Sequence, residues 1–82
     1  MNLCVRVVPM SQRTALYYIA RHQTEEFGVI VKYAPGEALM RRGFASEARR
    51  RPFARITGIC LRLTNEGLRA IEILEGTNND PS

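Results

Sequence analysis

The sequence predicts a small α+β domain with about three helices and a small antiparallel sheet. A chain of 82 residues is long enough for one domain and too short for two. Hydrophobic residues make up 45% of it, a normal share for a globular protein. Segments that alternate apolar and polar residues, as strands do, are interspersed with segments that carry the spacing of a helix face.

The chain opens with a predicted strand and a predicted helix. Residues 2–8 alternate and end at Pro9. Their apolar face consists of Leu3, Val5 and Val7. A helix is predicted over about residues 11–22, with Ser11 as its cap. The buried stripe of this helix is expected to consist of Ala15, Leu16, Ile19 and Ala20. The solvent side is expected to carry Arg13, Tyr17 and Arg21.

Residues 24–34 allow two interpretations. The Thr-Glu-Glu run at 24–26 is typical of a helix start, whereas the β-branched stretch within 28–33 favours a strand. A short extended segment is the preferred interpretation. A two-turn helix over Pro35–Arg42 follows, because proline suits a first helical turn. Gly43 is predicted to end this helix with left-handed backbone.

The second half of the sequence predicts two strands joined by a polar loop. The strands cover 44–48 and 59–63, and the loop begins with Arg49-Arg50-Arg51-Pro52. The alternation in 59–63 repeats that of residues 3–7, so these two segments are expected to share a sheet with their apolar rows on the core side.

A closing helix is predicted next, with Thr64 or Asn65 as its cap. Its buried stripe is expected to consist of Leu68, Ile71 and Leu74. Ile73 lies off that stripe, where it is available to cover the N-terminal strand or a second subunit. The expected organisation is therefore one domain over 1–75 and a disordered tail over 76–82.

The positive charge is concentrated in one part of the chain. Twelve basic residues face eight acidic ones, and eleven of the twelve are arginine. Arg41 to Arg62 contains seven arginines and a single acid, Glu47, a local charge of +6. Arginine suits bidentate contact with phosphate, and uneven basic surfaces bind anionic partners.

The side-chain inventory argues against an enzyme, a cofactor and a metal site. The sequence has no paired carboxylates and no glycine-rich phosphate loop, and His22 is its single histidine. Cys4 and Cys60 are expected to be reduced thiols of a cytoplasmic protein, although a disulfide is possible if their segments are neighbours. No apolar run approaches the roughly 18 residues that a membrane helix needs, and no signal peptide is recognisable.

Two segments carry a resemblance to a known family. Residues 39–45, Leu-Met-Arg-Arg-Gly-Phe-Ala, and 61–71, Leu-Arg-Leu-Thr-Asn-Glu-Gly-Leu-Arg-Ala-Ile, resemble the back half of a winged helix-turn-helix domain. In that family a recognition helix ends at a glycine, a β-hairpin called the wing follows, and the second wing strand runs into the closing helix. Residues 11–16 also resemble the opening helix of small phage-encoded winged-helix proteins.

Three of the matching positions have a simple physical role. Gly43 permits a sharp exit from helix to strand. Thr64 ends a strand and caps a helix. Gly67 leaves room where the last helix passes close to the sheet, or is a plain glycine of a first helical turn. The sequence departs from the family between residues 23 and 43, which are too few for a second helix and a full recognition helix.

The resemblance implies a small regulator of transcription that binds double-stranded DNA, encoded by a phage or another mobile element, with a homodimer possible. The wing would lie along the phosphate backbone or in the minor groove, and the alternative for its arginines is a solvated loop. The implied binding residues are Arg41 and Arg42 on the recognition helix, and Arg49, Arg50, Arg51 and Arg55 on or near the wing. The alternative function is an interaction module that blocks an acidic host protein or a nucleoprotein complex, as anti-CRISPR inhibitors do, and RNA is a third possible partner.

Overall fold

The computed structural model describes residues 8–55 and 57–78, which form three helices and a three-stranded antiparallel sheet. The predicted α+β fold class is therefore confirmed, in a layout that fits a winged-helix-like domain. The elements in chain order are α1 (Met10–His22), β1 (Val29–Val31), α2 (Tyr33–Arg41), β2 (Ala45–Glu47), β3 (Ile59–Leu63) and α3 (Asn65–Asn78).

The sheet has the order β1-β3-β2, so the last strand lies between the first two. Val29 pairs with Leu61, and Ala45 pairs with Leu63. Strand β1 lies within residues 24–34, so the prediction of a short extended segment there is confirmed. The predicted strand over 2–8 lies outside the described residues except for Val8, whose side chain is buried.

The three described helices pack against the sheet and, together with it, enclose a core. Its largest fully buried side chains are Leu16, Ile19, Leu39 and Leu61. The predicted apolar stripe of α1 is confirmed, since Ala15, Leu16 and Ile19 are buried and Ala20 packs against them.

Three expectations for α1 are wrong. Ser11 does not cap the helix, because the helix already begins at Met10, and the Pro9 carbonyl accepts from the Gln12 and Arg13 amides at 3.0 Å. Tyr17 is not in solvent: it packs against the core, and its hydroxyl is buried. Arg13 is also half-buried and donates from Nε to the Val8 carbonyl at 2.9 Å, whereas the exposure of Arg21 is confirmed.

Helix α2 ends as the sequence predicts. Gly43 has a φ of +80°, which suits glycine. The Gly43 amide donates to the Met40 carbonyl and the Phe44 amide to the Leu39 carbonyl, both at 3.0 Å, and this pair of bonds is the Schellman motif. The helix begins at Tyr33, two residues before Pro35, and Gly36 packs it onto β1 and β3.

Helix α3 buries a different face from the predicted one. Leu68 is 44% exposed, whereas Gly67 and Ala70 are buried beside Ile71 and Leu74. The cause is the close approach of Gly67 to the Phe44 carbonyl, which leaves no room for a Cβ and places the smallest residue against the sheet. The sequence prediction for Gly67 is thus confirmed and that for Leu68 is wrong.

The two ends of α3 are also informative. Thr64 caps it, accepting from the Gly67 amide at 3.1 Å and donating to the Gly43 carbonyl at 2.5 Å. Ile73 is 39% exposed, off the buried stripe as predicted. The helix continues to Asn78, beyond the boundary at 76 where the sequence predicts the tail to begin, and residues 79–82 lie outside the described part.

Replacing Thr64 by valine is expected to lower the free energy of unfolding by about 1–2 kcal/mol, because a side chain of similar shape would remove both the cap and the bond to the preceding turn. Thr64→Ser, which keeps the hydroxyl, is the matched control and should be destabilised less than half as much. Urea denaturation measures both variants. A Val variant as stable as the Ser variant would show that the hydroxyl contributes nothing.

Candidate nucleic-acid interface

The described residues between β2 and β3, 48–55 and 57–58, carry four of the six candidate arginines, and they are called the basic loop below. Its beginning crosses over β3 on the side of the Cys60 thiol. The Arg49 carbonyl accepts from the Gly28 amide at 2.9 Å and from the Cys60 thiol at 3.5 Å. Gly28 allows this crossing, because a Cβ there would lie 2.7 Å from the Cβ of Ala48. The basic loop is therefore attached to the domain at its first residues.

A single aromatic ring lies beneath two of the loop arginines. The guanidinium carbons of Arg49 and Arg51 lie 6.0 and 5.5 Å from the centroid of the Phe27 ring, within the range of cation–π attraction. Arg49 also forms an ion pair with Glu26, with Nη1 and Oε2 3.5 Å apart. Phe27 belongs to a tight turn in which its amide donates to the Thr24 hydroxyl at 3.0 Å. This turn orients two of the four loop arginines.

The other two loop arginines point into solvent. Within the described residues, Arg50 and Arg55 are exposed and have neither a hydrogen bond nor an ion pair. Guanidinium groups without an acidic partner are available to an external anion, and each presents the donor fork that matches a phosphate.

The tip of the basic loop is a turn over Arg51–Ala54, closed by an Ala54 amide that donates to the Arg51 carbonyl at 3.2 Å. Phe53 lies in this turn with its side chain fully exposed. Phe53 is not among the residues that the sequence predicts to bind a partner. The available signal was an aromatic residue that follows a proline within a run of arginines.

The two candidate arginines of α2 are arranged differently from those of the basic loop. Arg41 donates to Glu37 at 3.2 Å, one helical turn earlier. Arg42 donates from Nε to the Gln12 side chain at 2.8 Å and so links α2 to α1. Helix α2 packs against the core, whereas the basic loop crosses over β3 on the side of the Cys60 thiol. The structure therefore separates the six candidates into two groups.

The outward side of α2 carries a carboxylate between two donors. Glu37 accepts from Arg41 and also from the Tyr33 hydroxyl, at 3.1 Å. The bond to Glu37 and the charge of that carboxylate raise the pKa of Tyr33 above its ordinary value, so the phenol stays protonated. Helix α2 has nine residues, and β1 separates it from α1. The described residues thus contain no helix-turn-helix in which one helix directly follows another.

Cys60 lies under the beginning of the basic loop as a free thiol. Burial raises its pKa, so the thiol is neutral near pH 7 and is a hydrogen-bond donor to the Arg49 carbonyl. Cys4 lies outside the described residues. Among residues 8–55 and 57–78, no cluster of three metal-binding side chains occurs.

Comparison with protein-family models, curated proteins and solved structures gives no significant match. None of the helices in the described part of the chain has the length and apolar character needed to span a membrane.

Proposed function

We propose that this chain is a small, cytoplasmic DNA-binding regulator with a winged-helix-like scaffold, and that it binds double-stranded DNA through the basic loop. The observation that carries the proposal is the set of four arginines within residues 49–55, of which Arg49 alone has a carboxylate partner among the described residues. The basic loop corresponds in position to the wing of the family that the sequence resembles.

The charge of this loop favours phosphate as the ligand. Four guanidinium groups within seven residues repel one another, and DNA phosphates relieve that repulsion while releasing condensed counterions. The attachment of the loop to Gly28 and Phe27 presents Arg50 and Arg55 from a fixed base, which lowers the entropy lost on binding. The basic loop thus supplies affinity for duplex DNA of any sequence.

Contacts with base edges are expected to contribute less to the free energy of DNA binding than contacts with phosphates. The outward side of α2 carries Glu37, which repels phosphates, and its neighbour Arg41 is held in an ion pair. Phosphate contacts position a protein on DNA without reading sequence. We therefore expect affinities for different duplexes to differ less than they do for a protein with a full recognition helix.

The test is fluorescence anisotropy with a random-sequence duplex over a range of salt concentrations. A phosphate-binding protein shows log K falling with log salt, with a slope of about −0.9 for each phosphate contacted. Binding at low salt with a steep slope supports the proposal. Absence of duplex binding at low salt contradicts it.

Glu26→Gln is expected to raise duplex affinity by about threefold at 0.1 M salt, because it frees Arg49 and removes a charge that repels phosphate. Glu25→Gln is the matched control: it removes the same charge one residue away but leaves the ion pair of Arg49 intact. Anisotropy on the same duplex compares the two. Equal affinities for both variants would show that Arg49 takes no part in binding.

One observation favours a second candidate function. Helix α2 is short, carries the Glu37 carboxylate on its outward side and does not directly follow another helix. These features suit a polar protein surface better than a DNA groove. On this alternative the chain is an interaction module that blocks an acidic host protein or a nucleoprotein complex. It would hold one partner at moderate salt and ignore bulk DNA, so the same salt titration separates the two functions.

A further inference from the structure

Phe53 is the least protected large apolar side chain in the described part of the chain. Its relative exposure is 103%, more than that of any other large hydrophobic residue described. It is also the one non-glycine residue among those described that has a positive φ, at 67°. Exposure of an aromatic ring and left-handed backbone each cost stability.

Neither cost is explained by the fold. In the turn over Arg51–Ala54, Pro52 occupies the second position, which proline favours, and Phe53 occupies the third, where a positive φ favours glycine or asparagine. The Phe53 ring is not part of the core and packs against none of its residues. The turn would form more readily with a different residue at position 53.

The surroundings of the ring indicate its ligand. Phe53 follows Arg50 by three residues and precedes Arg55 by two, and both of these arginines are exposed and have no acidic partner among the described residues. Between neighbouring phosphates of a duplex lie the stacked faces of its bases. Apolar side chains of minor-groove proteins insert between such faces and kink the duplex.

We propose that Phe53 inserts between adjacent base pairs of the duplex held by the basic loop, with Arg50 and Arg55 on the phosphates at either side. This inference rests on the proposed function and adds to it a base-contacting residue. The ligand is a base step that opens easily, because the ring must replace the stacking of one base on the next.

The test compares the wild-type chain with Phe53→Ala, Phe53→Asn and Phe53→Trp on two labelled duplexes, one fully paired and one with a single central mismatch. A side chain that inserts between base pairs binds the mismatched duplex more tightly, because separating its stacked bases costs less free energy. We expect the Ala and Asn variants to bind about fivefold or more weakly and to show no such preference, and the Trp variant to keep both affinity and preference. Far-UV circular dichroism establishes that each variant is folded, and Asn is included because it accepts the backbone of the turn.

The outcomes distinguish this inference from the proposed function. Weaker binding without a change in salt slope supports the inference, because the arginines still neutralise the same phosphates. Wild-type affinity of the Ala and Asn variants on both duplexes overturns it and leaves phosphate binding by the loop intact. Weaker binding to single strands alone also overturns it, since the ring would then stack on unpaired bases. If the wild-type chain binds no duplex at low salt, both proposals are wrong.

Discussion

Arg50→Ala combined with Arg55→Ala is expected to lower duplex affinity about tenfold or more at 0.1 M salt. The salt dependence should flatten by about 0.9 for each phosphate that the variant no longer neutralises. These two arginines are the exposed members of the basic loop that have neither a hydrogen bond nor an ion pair among the described residues, so their removal breaks no such bond there. Anisotropy on a random-sequence duplex measures affinity and slope together. The decrease in affinity should be similar for all sequences.

The matched control is Arg21→Ala combined with Arg69→Ala. It removes the same charge from exposed positions on α1 and α3, which are not part of the basic loop. A general effect of net charge would weaken both double variants equally. Equal affinities and slopes for the two would remove the basic loop from the binding site.

Gly67→Ala is expected to lower the free energy of unfolding by about 3 kcal/mol. A Cβ at this position would overlap the carbonyl oxygen of Phe44, which is backbone and cannot rotate away. That oxygen accepts from the Thr64 amide at 3.0 Å, so displacing it also breaks the bond next to the helix cap. The gain in helix propensity from glycine to alanine, up to about 1 kcal/mol, is too small to compensate.

Gly76→Ala in the same helix is the control for this prediction. Apart from the chain neighbours and the backbone of the helix itself, no described atom lies within 4 Å of a Cβ at Gly76, so the substitution should leave stability unchanged or raise it by up to about 1 kcal/mol. Urea denaturation followed by circular dichroism measures both variants. If Gly67→Ala proves as stable as Gly76→Ala, the close approach of α3 to the sheet is not a constraint on the fold.

The parts of the fold that local chemistry decides could be predicted from the sequence. The capping of the Gly67 amide by Thr64 and the left-handed backbone of Gly43 involve the chain within a few residues, and both are what the residue types indicate. The phase of α3 could not be predicted, because Leu68 fits the helical spacing as well as Gly67 does. The phase is decided by the Phe44 backbone, more than twenty residues away in the sequence.

In the candidate site, too, local features could be predicted from the sequence and long-range contacts could not. A run of arginines around a proline predicts an exposed basic loop, and the structure has one. The anchoring of that loop by Phe27 and Gly28 could not be predicted, because it joins segments about twenty residues apart. The same holds for Arg42, whose bond to Gln12 spans 30 positions. The exposure of Phe53 could not be predicted either, because it depends on the turn geometry, which composition does not determine.

Two of the three consecutive arginines, Arg49 and Arg51, place their guanidinium groups on the Phe27 ring. Arg49 and Arg51 act as scaffold, because a flat cation can lie on an aromatic face while a lysine ammonium covers much less of it. Arg50, between them, makes no such contact. A lysine at position 50 would therefore leave the packing on Phe27 unchanged, whereas a lysine at 49 or 51 would loosen the base from which the whole loop is presented.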